Sequence, residues 1–166
     1  DTILFTRGVP ATESFPLERV AEAASYATIQ YGSGTMQYTK SYGFLPLREA
    51  LAEQYNTTPD NILVSNGSLQ IVDFLGHVLM GKGSTVFVEA PSYDRTITLC
   101  RRHNATVVGV PIERDGPNMD ALESLLEHQQ PTFLYLIADF QNPSGATISL
   151  SKRKQLIELA RERGFW

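Results

Sequence analysis

Leu63–Leu75 reads LVSNGSLQIVDFL: an apolar, β-branched run enters a Ser-Asn-Gly-Ser turn and leaves it as apolar residues at helical spacing. Ile71, Phe74, Leu75 and Val78 fall at i, i+3, i+4 and i+7, the stripe of an amphipathic helix. The run before the turn, NILVS (61–65), has the composition of a strand covered on both faces. The same alternation continues downstream. TVFVE (85–89), TVVGV (106–110) and TFLYLIA (132–138) read as further strands, Cys100 falls in a helical segment, and Met119, Leu122, Leu125 and Leu126 mark another helix. Alternating strands and helices imply an α/β fold with a mainly parallel sheet and helices on both faces.

The first 60 residues differ. GVPATESFP is loop-like, Leu17, Val20, Ala21 and Ala24 mark a helix, and YGSGTMQYTKSYG is a glycine- and tyrosine-rich connection too irregular for a strand. A further helix is expected with Leu47, Ala50 and Leu51 inward and Arg48, Glu49 and Glu53 toward solvent.

Composition narrows the function. The 166 residues are 42% hydrophobic and 19% charged, enough for one sizeable core. A formal net charge of -4, with Lys and Arg scattered, offers no basic stripe for a phosphate backbone, so nucleic acid is not an expected partner. The single cysteine, Cys100, cannot form an internal disulfide and is expected as a small buried side chain in a reducing compartment. No charged-then-apolar leader opens the chain and no apolar run approaches the roughly 20 residues of a membrane span, so a soluble, cytoplasmic protein is expected. The histidines, His77, His103 and His128, lack metal-ligand spacing and read as surface or packing residues. Glu113, Asp115, Asp120 and Glu123 read as solvated.

Three strand ends carry residues suited to chemistry. At Ser65-Asn66-Gly67-Ser68, free N–H groups and a helix dipole converge on one point, as for a phosphate; the same residues also suit a plain helix cap. The turn has neither the G-x-G-x-x-G spacing of a dinucleotide site nor a P-loop's Gly-Lys-Ser/Thr. In VEAPSYDRT, Tyr93 follows a strand's C-terminal end and could lie over an aromatic ring or simply pack. In FQNPSG, the Asn142 amide could donate to a ligand oxygen, or the segment is a turn.

Taken together, GVPATESFP, QYTKSYGFLPLREALA, SNGSLQ, EAPSY and QNPSG resemble the fold-type-I, class I/II aminotransferases that use pyridoxal 5′-phosphate (PLP), especially the branch acting on aminoadipate, aromatic and branched-chain amino acids. The resemblance covers nearly the whole chain, with the motifs in family order. It implies an N-terminal arm and dimer connection over 1–45 and the first part of the PLP-binding large domain over 46–166. It further implies that Gly67, Ser68 and the Leu69 backbone hold the cofactor phosphate, that Tyr93 stacks on the pyridine ring, and that Asn142 bonds its phenolic oxygen. Many relatives carry Gln where Leu69 stands, and many carry proline where Ala138 stands. Tyr38 matches the tyrosine that reaches the neighbouring subunit's phosphate, implying a homodimer with shared sites, and Gly8 matches the glycine beside the substrate.

The resemblance also bears on Lys152, whose setting SLSK imitates a Ser-x-x-Lys. SLSKRKQLIELARERG reads as a short loop and a helix, with Ser149 or Ser151 as N-cap and Leu156, Ile157 and Ala160 on one face. Lys152 is then expected on a solvated surface, and the Schiff-base lysine is expected beyond Trp166, in a chain that reads as partial. The implied activity is amino-group transfer between an amino acid and a 2-oxo acid, with these 166 residues inactive alone. Two other readings stay open: a PLP-sensing domain fused to a helix-turn-helix regulator, and a PLP-dependent lyase or decarboxylase on the same fold.

Overall fold

Residues 10–166 are described by a computed structural model, in which the β-branched runs after residue 80 form a sheet. The chain divides into two compact units, Asp1–Val64 and Ser65–Trp166. The first holds α1 (Leu17–Tyr31) and α2 (Leu45–Gln54), with short 3-10 turns at Thr12–Ser14, Gly32–Thr35 and Pro59–Asn61. The second holds α3 (Ser68–Leu79), β1 (Thr85–Ala90), α4 (Asp94–Arg102), β2 (Thr106–Glu113), β3 (Gly116–Pro117), α5 (Met119–His128), β4 (Phe133–Tyr135) and α6 (Leu150–Arg163).

The sheet order is β3-β2-β1-β4. β2 and β4 both run parallel to the central β1, and only the two-residue β3 is antiparallel. Successive side chains of β1 point to opposite faces, and each face has its own core. Phe87, with Val110 of β2, packs against Leu122 and Leu126 of α5, Leu156 and Leu159 of α6, and Phe165. Val86 and Val88 pack with Cys100 of α4, Ala105 and Phe133. Full burial of a side chain such as Phe87 or Leu122 contributes about 1.5–3 kcal/mol. Helices therefore cover both faces, as the alternation implied. Cys100 is fully buried, and that burial pushes its thiol pKa up.

Four local expectations need correction. NILVS is not a strand: Asn61 ends a 3-10 turn, and Val64 makes a single backbone bond, its N–H to Tyr42 O at 3.0 Å. The expected strand 132–138 shortens to Phe133–Tyr135, because the Ile137 N–H turns to the Glu89 carboxylate at 3.0 Å. In α3 the apolar stripe is not the packed face; Gly76 is buried while Phe74, Leu75 and Val78 are exposed. In α2, Arg48 is buried rather than solvated, its guanidinium donating to Ile62 O at 3.0 Å and Pro59 O at 2.5 Å. A smaller shift occurs in α6, where Leu159 is buried and Ile157 is exposed. No described helix is long and apolar enough to cross a membrane.

Candidate functional site

Because β1 and β4 are parallel neighbours, the loops leaving them open on one edge of the sheet. One loop carries Tyr93, which is the N-cap of α4; the other carries Asn142. Between them lies a buried polar node. Gln141 Nε2 donates to Pro91 O at 2.9 Å and to Glu89 Oε2 at 3.2 Å. Gln141 Oε1 accepts from the Ser144 N–H at 2.9 Å and the Ser144 hydroxyl at 2.6 Å. The turn is closed by the Gln141 N–H to Ala146 O at 2.8 Å and the Gly145 N–H to Gln141 O at 2.5 Å.

Glu89 and Gln141 are 1% and 2% exposed, so each bond in the node satisfies a group that water cannot reach. Burial pushes the Glu89 carboxyl pKa up; the Ile137 N–H and the Gln141 amide pull against it. Sequence reasoning missed both residues. The available signal was a carboxylate ending the apolar run TVFVE and an amide placed directly before Asn142.

The Ser65-Asn66-Gly67-Ser68 turn leads into the N-terminus of α3, with Gly67 at the N-cap position. Ser65, Asn66 and Ser68 are all capping types, yet no side chain caps this helix. The Ser65 hydroxyl donates to Gly67 O at 3.1 Å, and the Asn66 N–H donates to Gln70 Oε1 at 2.8 Å. Asn118 caps α5 and Ser149 caps α6 by accepting first-turn N–H groups, whereas α1, α2 and α4, like α3, start without a side-chain cap. At α3 the Ser68 and Leu69 N–H groups stay available, at the positive end of the helix dipole. Gly67 holds φ +97°, a backbone region that favours glycine, and a Cβ built there meets nothing within 4 Å. The space before the turn is open, and its donors fit a phosphate monoester.

The second unit thus contains Gly67, Ser68, Leu69, Tyr93 and Asn142, with Tyr93 and Asn142 at one sheet edge. Tyr38 belongs to the first unit and is fully exposed. Gly8 lies outside the described residues.

The family model described as Aminotransferase class I and II matches residues 1–166. The chain belongs to the class I and II aminotransferases. The 2-aminoadipate transaminase of Thermus thermophilus is 41% identical over 160 residues, 96% of this chain and 40% of its own length. Aromatic-amino-acid aminotransferase 1 of Thermococcus litoralis is 34% identical, covering 99% of this chain and 42% of its own. The crystal structure of the α-aminoadipate aminotransferase LysN from Thermus thermophilus, complexed with N-(5′-phosphopyridoxyl)-L-leucine, matches with a TM-score of 0.90 at 41% identity, over 97% of this chain and 41% of that one. The chain spans about two fifths of the length of these relatives.

In this aminotransferase chain Lys152 is not the solvated lysine expected. Its side chain is 12% exposed, and Nζ donates to Glu113 Oε2 at 2.6 Å and Asp115 Oδ1 at 2.7 Å. Partial burial works to lower the ammonium pKa, but the hydrogen bonds and charges of Asp115 and Glu113 outweigh it and hold it above the ordinary lysine value. The Lys152 hydrogen bond in turn holds Asp115 below the usual carboxylate range. Glu113 and Asp115, expected to be merely solvated, are therefore half of an ion-paired tie joining α6 to the end of β2 and the turn before β3.

Proposed function

We propose that this chain forms the phosphate- and ring-binding part of the PLP site of an aminotransferase that moves an amino group between an amino acid and a 2-oxo acid. The observation that carries this reading is the uncapped start of α3, where glycine geometry and two first-turn N–H groups stand open to an anion. Gly67, Ser68 and the Leu69 N–H hold the phosphate. Tyr93 would lie against the pyridine ring of a bound cofactor, and the Asn142 amide would donate to its phenolic oxygen. When bound, PLP supplies the electron sink; the protein supplies position and electrostatics. Leu69 adds an N–H but no polar side chain to the cradle.

The Glu89–Gln141 node keeps the Tyr93 and Asn142 loops at a fixed spacing, which is what a ring held from two sides requires. Lys152 takes no part, since its ammonium is bound between two carboxylates. Tyr38 reaches the phosphate of a second copy, making the working unit a homodimer.

The test is made on the full-length protein. PLP binding is followed by absorbance, and amino transfer by a panel of amino donors with 2-oxoglutarate. The reading requires transfer activity and a loss of PLP affinity in Gly67→Val and Asn142→Ala. Binding that neither substitution weakens sinks the site assignment. Tight PLP binding with no transfer from any donor would overturn the enzyme reading in favour of a PLP-sensing domain.

A further inference from the structure

Outside the cofactor edge, Asp73, His77 and His103 gather where α3 meets the end of α4. Asp73 and His77 stand four residues apart on α3 and so share a face. His103, the C-cap of α4, completes the group: its Nε2 lies 2.8 Å from Asp73 Oδ1. His77 Nε2 lies 3.9 Å from the other carboxylate oxygen, Oδ2. The two imidazole rings are 4.6 Å apart between centroids at 82°. One ligand atom from each residue lies within 4.8 Å of the other two. Gly76 makes the approach possible, because a Cβ at that position would collide with the His103 ring.

A plain Asp–His bond between helices explains His103 but not His77. At 3.9 Å the His77 nitrogen is beyond hydrogen-bond reach of Asp73, yet it faces the carboxylate oxygen that His103 leaves unused. Two imidazole nitrogens and one carboxylate oxygen are the donors that zinc takes in three-ligand sites with water in the fourth position. Ligand bonds of about 2.0–2.2 Å in a tetrahedron place donors roughly 3.3 Å apart. His103 Nε2 stands 2.8 Å from one Asp73 oxygen and His77 Nε2 3.9 Å from the other, with all three donors within 4.8 Å, so small side-chain rotations bring them to that spacing. His103, 13% exposed, is partly buried and hydrogen-bonded to Asp73, while His77, 71% exposed, can rotate to close the set.

We propose that Asp73, His77 and His103 bind a divalent cation of the zinc class, with one coordination position left to water. The ion clamps the C-terminal half of α3 to the end of α4. These are the two helices that begin at the phosphate turn and at Tyr93, so the clamp acts on the far ends of the elements that carry the cofactor loops. The inference does not depend on PLP or on amino transfer.

The test uses the full-length protein, stripped of metal by chelator and titrated with Zn²⁺ alone by calorimetry, with and without PLP. One Zn²⁺ per chain is expected in both states. His77→Ala removes an exposed ligand with little effect on packing. It should lower affinity by more than the about tenfold to hundredfold that even an outer partner of a ligand costs, and leave the metal-free Tm unchanged. Asp73→Asn should also weaken binding. Absence of stoichiometric Zn²⁺ binding would overturn the proposal, as would equal affinity in the wild type, His77→Ala and Asp73→Asn.

Discussion

At Gly67 a single methyl group should be felt in binding before it is felt in folding. Holding a non-glycine residue near φ +97°, ψ 161° costs about 1–3 kcal/mol, and the turn can relieve this only by moving the N–H groups proposed to hold the phosphate. Gly67→Ala is therefore expected to weaken PLP binding about tenfold, read by spectrophotometric titration, with only a small fall in Tm. Glu89 gives the opposite pattern. Glu89→Leu orphans the Ile137 N–H and leaves the Gln141 amide nitrogen with Pro91 O as its remaining acceptor, and at about 1–3 kcal/mol for an orphaned buried donor should lower stability in denaturant titrations. Glu89→Gln keeps an acceptor. Because burial raises the folded pKa of Glu89, its contribution is complete below the ordinary glutamate value and lost as pH rises through the folded value. Glu89→Gln should remove that pH-dependent loss, so its stability relative to wild type should rise across the window; a constant difference would contradict the assignment. The places of Gly67 in a turn before a helix, and of Tyr93 and Asn142 after strands, were legible because each carries a local turn or strand-end signal. Arg48, Glu89, Gln141 and Lys152 were not. A charged or amide side chain reads as solvated unless its partner is known, and the partner of Lys152 lies 37 residues away.

At the scale of elements, the Lys152 tie fixes α6 to the end of β2. Both carboxylates are half exposed, so salt screens the pair and Lys152→Met should cost only a few degrees in Tm. The pH dependence carries the sign. Asp115 is depressed, so its share is present above the ordinary aspartate pKa and lost as pH falls through the folded value. Lys152 is raised, so its share is present below 10.5 and lost as pH rises through the folded value. The Tm gap between wild type and Lys152→Met should be flat near neutrality and close at both extremes; a gap that persists in strong acid would rule out the ion pair as its cause. Elements themselves were legible where periodicity was strong, as in α1, α3, α5 and α6. Their packed faces were less so. The stripe of α3 predicted the helix but not its neighbour, because Gly76 allows a closer approach than any apolar side chain on that stripe. NILVS failed as a strand because composition cannot supply a hydrogen-bonding neighbour.

For the molecule as a whole, the α/β architecture was legible from alternation alone, since parallel strands buried on both faces must be apolar throughout. What covers the outer surfaces was not. Val72, Leu75, Leu79, Phe133, Leu134, Tyr135, Leu136 and Trp166 line an apolar groove of about 360 Å³, and Phe74 and Val78 add exposed apolar surface on α3. The 166-residue chain prepared by itself is expected to self-associate as its concentration rises, in sedimentation velocity, and Phe74→Lys with Val78→Lys should suppress this. A monomer at all concentrations would show that these faces are not adhesive. Trp166 docks at the same edge, its N–H donating to Thr132 O at 3.2 Å and its carbonyl accepting the Leu134 N–H at 2.7 Å, the pattern of a parallel neighbour of β4. It is the chain's single tryptophan and is 80% exposed. The chain therefore carries its own optical gauge: the indole should emit in the red-shifted range of a wet fluorophore, be open to quenching by iodide, and turn blue and protected when anything apolar settles on the β4 edge.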